Sequence, residues 1–197
     1  MKKIIMVSTN NTCRSFIAES LLRQLLLDAH QKNIEVISRG LVVLFPEPVH
    51  VKAADMVIQK CGIESLDFQS AQLTQEEVEQ SDLILTMTEE QKEKILEEYH
   101  GYKEIATLNE YASVEGAIID PYGMEDDDYE RCFEQIARLV KKIWEERLGG
   151  NEMIGIGSDH GGYALKQAVI KHLEDKGYYR PQACPEQNRM APGRSDQ

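Results

Sequence analysis

An apolar run that passes directly into a polar loop and then into a helical pattern constrains this chain more than any other feature. The run is Ile4-Ile5-Met6-Val7, and the loop extends from Ser8 to Ser15. From Ser15 to about Ala29, apolar residues recur with the spacing of an amphipathic helix packed on a sheet: Ile17, Leu21, Leu22, Leu25 and Leu26. The pattern predicts a buried strand, a loop and a helix N-terminus that Ser15 caps.

A loop in this position is suited to binding an anion. Backbone N–H groups that have no partner inside the helix converge at its N-terminus, and the helix dipole favours negative charge there. Arg14 adds a planar guanidinium that can bind two phosphate oxygens at once. We therefore predict a phosphate-binding loop formed by Thr9, Asn10, Asn11, Thr12, Cys13, Arg14 and Ser15.

The loop sequence resembles the active-site loop of a known family. Val-x-Thr-x-Asn-Thr-Cys-Arg-Ser after a first strand is similar to the loop of the low-molecular-weight protein tyrosine phosphatases, whose pattern is Cys, five residues, Arg, Ser. Ser8 stands at the position of the family's nucleophilic cysteine. Asn10 replaces a usual Gly, which is acceptable where the backbone is left-handed, and Phe16 replaces a usual Pro, where we expect it to crowd the mouth of the loop.

The resemblance also implies roles for single residues. In these phosphatases a cysteine thiolate attacks phosphorus, an arginine holds the phosphate oxygens and an aspartic acid protonates the leaving group. The matching positions here are Ser8, Arg14 and Asp120, the last within an Asp-Pro turn. Asn11 is implied to brace the loop and Ser15 to donate to the nucleophile position, although both are also ordinary turn and cap residues.

A serine at the nucleophile position predicts a severe loss of hydrolysis. A cysteine thiol becomes a thiolate at a helix N-terminus, whereas a serine hydroxyl stays protonated, and the loop contains no His or Lys as an activating base. Loss of a nucleophile costs roughly 10⁶ in turnover in other enzymes. A third possibility is an engineered Cys-to-Ser substitution that traps the substrate. The further changes at Asn10 and Phe16 instead favour sequence drift. Arsenate reduction, which relatives carry out with a cysteine nucleophile, is disfavoured.

Two functions remain open on this basis. The first is a phosphatase of phosphotyrosine or phosphoarginine proteins with greatly reduced activity. The second is a catalytically silent protein that binds a phosphorylated protein or free phosphate. In either case the predicted partner is a phosphorylated protein or a small phosphate ester. Thr12 is the residue type of the protein-arginine-phosphatase branch, whereas tyrosine-specific members tend to have a bulkier aliphatic residue there.

Strand and helix patterns alternate along residues 1–148. Further strands are predicted near 34–38, 83–87 and 105–108, and further helices at 51–60, from 74, at 89–99 and at 127–148. Such alternation is typical of an α/β fold. We predict a doubly wound, parallel four-stranded sheet with helices on both faces.

Three parts of the chain are predicted: a phosphatase-like domain at 1–150, a second segment at 151–178 and a disordered tail at 179–197. The second segment resembles the first strand, loop and helix of the B-type ribose-5-phosphate isomerases, with Asp159 and His160 at the family's sugar-phosphate-binding Asp-His pair. It lacks the later part that carries the family's proton-transfer residues, so we do not expect isomerase activity. The tail has few apolar residues and no periodicity.

Composition narrows the remaining possibilities. A net charge of -12 argues against nonspecific nucleic-acid binding. No apolar run approaches the roughly 20 residues of a membrane span, and no signal-peptide pattern follows Met-Lys-Lys, so a cytoplasmic location is predicted. The four cysteines lack metal-ligand spacing, and no metal or cofactor is predicted. We expect Cys13 to be a small buried side chain and four histidines to be surface residues: His30, His50, His100 and His172.

Overall fold

The computed structural model describes residues 1–62, residues 67–149 and Lys171. The strands are β1 (Lys2–Ser8), β2 (Ile34–Gly40), β3 (Leu83–Thr86) and β4 (Ile105–Thr107). The helices are α1 (Arg14–Asp28), α2 (Val51–Cys61), α3 (Gln75–Gln80), α4 (Glu89–Glu98), α5 (Leu108–Tyr111) and α6 (Asp126–Arg147). These elements lie close to the predicted ones, but the short helix α5 was not predicted.

The four strands form one parallel sheet in the order β2-β1-β3-β4. Strand β1 lies in the interior of the sheet, and its four apolar residues, Ile4 to Val7, are all fully buried. A parallel strand covered on both faces reads as a continuous apolar run, which explains why this strand was recognisable from sequence.

Helices cover both faces of the sheet, as the sequence predicted. Ile4 and Met6 belong to a core with residues of α1, α2 and α6, whereas Ile5 and Val7 pack on the opposite side with Val78 of α3 and Ile95 of α4. Successive side chains of a strand point to opposite faces. The predicted apolar stripe of α6 is likewise buried: Phe133, Ile136, Leu139, Val140 and Ile143.

The start of α1 corrects the prediction for Ser15. The helix begins at Arg14, and Cys13 occupies the cap position without a side-chain hydrogen bond to the helix. Ser15 is the second helical residue and is fully buried. Its hydroxyl is therefore available to the preceding loop instead of capping the helix.

The predicted second segment (151–178) and tail (179–197) lie outside the described residues, apart from Lys171. Their boundaries and the isomerase resemblance stay predictions. Within the described part of the chain, no helix combines the length and the apolar character needed to span a membrane. The cytoplasmic location also remains a prediction.

Candidate functional site

The predicted phosphate-binding loop lies at the carboxyl end of β1. Ser8 is the last residue of that strand and Arg14 is the first residue of α1. The chain leaves β1 towards β2 on one side and later returns to β3 on the other. Ligands of open parallel sheets bind at such a switch point, where the connections on either side leave a crevice.

The structure forms a cleft of about 180 Å³ above this loop. It brings Asp120 next to six predicted residues of the loop region: Ser8, Thr9, Asn10, Thr12, Cys13 and Arg14. His50, Tyr122 and Tyr129 complete the lining. Asn11 and Ser15, the remaining two predicted residues, are fully buried beneath the loop, so they support the cleft and do not line it.

A buried hydrogen-bond network holds Ser8. Its Oγ lies 2.7 Å from the Oγ of Ser15 and accepts a hydrogen bond from the backbone N–H of Asn11 at 3.3 Å. The Asn11 amide donates to Ser15 Oγ at 3.0 Å and to Ser38 Oγ at 2.9 Å. Because Ser15 accepts this amide hydrogen, its own proton is free to be donated to Ser8.

The side chain of Asn11 is held in one orientation by the backbone. Its Oδ1 accepts a hydrogen bond from the N–H of Ala71 at 3.0 Å, and a backbone N–H can only donate. Asn11 also has a positive φ of 60°. The left-handed residue of the loop is thus Asn11, and the left-handed conformation considered for Asn10 is not adopted there.

Arg14 and Asp120 form an ion pair at the cleft. Nη2 of Arg14 lies 2.5 Å from Oδ2 of Asp120, and the two side chains are 7% and 56% exposed. The pairing joins positions 106 residues apart. It places a carboxyl group beside the guanidinium, within the same cleft as Ser8.

The cysteines near the cleft are poor nucleophiles. Burial raises the pKa of Cys13 from 9.0 to about 12, and it does the same for Cys132. Both thiols therefore stay protonated at neutral pH and cannot act as thiolates. Cys13, Cys61 and Cys132 are free. Cys13 is half-buried and packs against the core, in keeping with the small packing residue that the sequence suggested.

His50 corrects the interpretation of the histidines as surface residues. It lines the cleft, and its ring stacks on Tyr129 with centroids 5.1 Å apart. Its Nε2 lies 3.4 Å from the Tyr129 hydroxyl, whereas its Nδ1 is buried without a hydrogen-bond partner among the described residues. The backbone N–H of His50 donates to the Thr12 carbonyl at 2.8 Å and so ties His50 to the loop. Residue spacing in the sequence gives no sign of this hydrogen bond.

Phe16 also differs from expectation. Its side chain is 3% exposed and packs edge-on against Phe68, with centroids 4.6 Å apart. It does not line the cleft. The prediction that Phe16 crowds the mouth of the loop was wrong, because α1 directs this side chain into the core.

The site therefore combines an arginine at a helix N-terminus, an aspartate paired with that arginine and a cleft at the carboxyl end of a parallel sheet, an arrangement that is suited to binding an anion. The family model described as low molecular weight phosphotyrosine protein phosphatase matches residues 3–154. The chain belongs to this family, whose members are hydrolases that act on phosphorylated proteins.

Individual relatives agree with this assignment. The low-molecular-weight protein-tyrosine-phosphatase PtpB of Staphylococcus haemolyticus is 33% identical over 141 residues, which cover 72% of this chain and 96% of the relative. The low-molecular-weight phosphatase of T. tengcongensis has a similar structure, with a TM-score of 0.69, 29% identity and coverage of 74% and 99% of the two chains.

A third relative is relevant to Ser8. It is a Cys-to-Ser mutant of YwlE arginine phosphatase with a phosphorylated active-site serine. Its structure matches with a TM-score of 0.66 and 31% identity, and the match covers 74% of this chain and 98% of that one.

The structural likeness to these relatives confirms the predicted α/β fold.

Proposed function

We propose that Ser8 occupies the nucleophile position of this phosphatase and that the chain acts on phosphotyrosine or phosphoarginine proteins with strongly reduced turnover. The observation that carries the proposal is the position of Ser8 Oγ. Ser8 lines the cleft, and its Oγ lies 2.7 Å from Ser15 Oγ, within the hydrogen-bond network of Asn11.

The proposed chemistry assigns a task to each residue. Arg14 and the N–H groups of the loop bind the phosphate oxygens. Ser8 Oγ attacks phosphorus and its proton passes to a phosphate oxygen of the substrate. The bond between phosphorus and the leaving group breaks, and Asp120 donates a proton to that group. Water then cleaves the resulting phosphoserine, regenerating Ser8 and releasing phosphate.

Both steps are slow with an oxygen nucleophile. The hydroxyl of Ser8 is not ionised when it attacks, unlike the thiolate of the family. In the second step an alkoxide is a poorer leaving group than a thiolate. The relative with a phosphorylated active-site serine supports a phosphoserine at this position, so accumulation of that intermediate is expected if the first step proceeds.

The class of protein substrate is proposed from two observations. Thr12 lines the cleft and is the residue type of the arginine-phosphatase branch. Relatives named arginine phosphatase and relatives named protein-tyrosine-phosphatase match to similar degrees. Phosphoarginine and phosphotyrosine proteins therefore both stay in the proposal.

A second function, a silent binder of phosphate or phosphoproteins, is favoured by a separate observation. The groups that would hold an anion do not depend on a thiolate: Arg14 lines the cleft, and the Asn11 network is complete around a serine. Binding is thus expected to survive where turnover is lost.

Hydrolysis of an aryl phosphate by the chain and by its Ser8→Cys variant separates these functions. We expect at least about a hundredfold faster turnover in the variant. Intact mass spectrometry of the unchanged chain, incubated with a phosphoarginine peptide, tests for phosphoserine. A phosphoryl group on Ser8 supports the slow enzyme, and phosphate binding without transfer supports the binder.

The Arg14→Ala variant is the matched control, because it keeps the serine but removes the guanidinium. It should bind no phosphate. Absence of turnover in Ser8→Cys, together with no phosphate binding by the unchanged chain, would contradict both functions.

A further inference from the structure

A second cleft adjoins the cleft that contains Ser8. Its volume is about 380 Å³, and Thr9, Arg14 and Asp120 line both clefts. The rest of its lining comes from three parts of the chain: residues 41–42, residues 88–94 at the start of α4, and Ile118. Because Arg14 stands at the boundary, a ligand whose phosphate binds Arg14 has the second cleft directly beside it.

The apolar part of this lining is attached to the phosphate-binding loop by backbone hydrogen bonds. The N–H of Leu41 donates to the Ser8 carbonyl at 3.0 Å, and the N–H of Val42 donates to the Thr9 carbonyl at 2.9 Å. Leu41 and Ile118 are buried, whereas Val42 is 43% exposed. The second cleft therefore presents apolar side chains at a fixed position beside the loop, as a preformed ligand site does.

The polar side chains at the start of α4 are already hydrogen-bonded within the protein. Gln91 Oε1 accepts the N–H groups of Met87 and Thr88 at 3.0 and 3.1 Å, and Gln91 Nε2 donates to Thr9 Oγ1 at 3.1 Å. The Glu90 carboxylate is hydrogen-bonded to Thr88 and to its own backbone N–H. A polar ligand would have to compete with these bonds, which hold the start of α4 beside the loop.

The charges that line the second cleft balance. Arg14 forms an ion pair with Asp120. Lys94 shares the cleft with Glu90, and its Nζ lies 3.9 Å from Glu98 Oε1. No net charge is left in this lining to select an ionic group, so burial of apolar surface is the interaction that the cleft offers most readily.

We propose that the second cleft binds an apolar side chain of the protein substrate, from a residue within two positions of the phosphorylated one. The proposal rests on the proposed function in one respect, namely that Arg14 holds the phosphate. In an extended chain, side chains two residues apart point to the same face and are separated by roughly 7 Å. Two such side chains can therefore occupy two clefts that share a wall.

Short phosphorylated peptides test this proposal on the unchanged chain. The parent peptide has alanine on both sides of a phosphotyrosine or a phosphoarginine, and each further peptide carries one leucine within two positions of it. Affinities are measured by competition against a fluorescent peptide, and binding of inorganic phosphate is measured separately. We expect one leucine peptide to bind about tenfold more tightly than its parent, because leucine buries more apolar surface than alanine.

Substitutions locate the leucine preference, which is the ratio of the two affinities within one variant. Val42→Asn should reduce the preference to about twofold or less, and asparagine adds no charge near Arg14. Leu96→Asn is the matched control, because Leu96 is 40% exposed on α4 and is not among the residues that line the cleft. Phe45→Asn alters a third cleft, of about 260 Å³, that also contains Val42. Both of these variants should keep the tenfold preference.

The possible failures are distinguishable. Equal binding of all peptides, with inorganic phosphate still bound, overturns the proposal but leaves the anion site intact. A preference that persists in Val42→Asn, or that is lost in Phe45→Asn, overturns it and places the apolar contact outside the second cleft. If the unchanged chain binds neither a peptide nor inorganic phosphate, the anion site of the proposed function is itself wrong.

Discussion

Asn11 holds the loop in place through the hydrogen bonds of its side chain. It is fully buried with a φ of 60°, and its side chain makes hydrogen bonds to Ser15, Ser38 and Ala71. Asn11→Ala leaves these groups unpaired and forces alanine into a left-handed conformation. We expect the free energy of unfolding to fall by about 3 kcal/mol in urea denaturation.

The adjacent Asn10 is the matched control. It is exposed, so Asn10→Ala should change the free energy of unfolding by less than about 0.5 kcal/mol. Equal effects of the two substitutions would mean that the Asn11 network adds nothing to stability.

The buried thiols make stability depend on alkaline pH. An unfolded cysteine loses its proton near its ordinary pKa of 9.0, whereas burial raises the folded pKa of Cys13 to about 12. The contribution is thus complete below about pH 9 and is lost as the pH rises towards 12. We expect the unfolding free energy to decrease across that window, and to decrease less steeply in Cys13→Ala. The unfolding free energies are measured by denaturant titration at each pH. If they fall equally steeply with pH in the unchanged chain and in Cys13→Ala, the assignment to Cys13 is wrong.

At the scale of elements, Phe16 connects the first turn of α1 to the segment after α2. The ring is buried against Phe68, and the first helical hydrogen bond runs from Ile17 N–H to the Cys13 carbonyl. Proline at position 16 therefore loses no helical bond but does lose the aromatic contact. We expect Phe16→Pro to lower the free energy of unfolding by about 2–4 kcal/mol.

The same substitution tests the role of Phe16 in activity. Because Phe16 does not line the cleft, Phe16→Pro should not raise the turnover of the Ser8→Cys variant. Phe16→Leu, which keeps an apolar side chain, should cost less stability. A clear gain in turnover on Phe16→Pro would restore the idea that this residue obstructs the loop.

At the scale of the whole molecule, the phosphatase-like domain has a hydrophobic core of its own. Its buried apolar residues run from Ile4 to Leu148, and the family match ends at residue 154. A chain shortened to residues 1–150 should therefore unfold cooperatively, with a melting temperature within a few degrees of the full chain, as measured by circular dichroism. A shortened chain without a cooperative transition would contradict the predicted domain boundary.

The parts of the fold that sequence predicted share a physical origin. Strand β1 carries a continuous apolar run and helix α6 carries a regular apolar stripe, because these residues pack against the rest of the core. Helix α5 has only four residues, too few for a periodic pattern. The start of α1 was placed one residue late, since its cap makes no side-chain bond that a sequence motif would show.

In the candidate site, too, some features were predictable from sequence and others were visible only in the structure. Ser8 to Ser15 are contiguous and follow a family pattern, so sequence alone predicted the loop and the assignments of Ser8 and Arg14. Asp120 was placed from its motif, but its pairing with Arg14 became visible only in the structure. The roles of Asn11, His50 and Phe16 depend on backbone conformation and on contacts with distant residues.

The sequence by itself determined the α/β class, and it predicted a phosphate-binding loop with a serine at the nucleophile position, because these depend on local periodicity and on residue types that are adjacent in the chain. Only the tertiary structure decided which asparagine is left-handed, where Phe16 points, and that His50 and Asp120 share a cleft with Ser8. The physical reason is that packing and hydrogen bonding between distant segments select side-chain directions, and no local pattern encodes them.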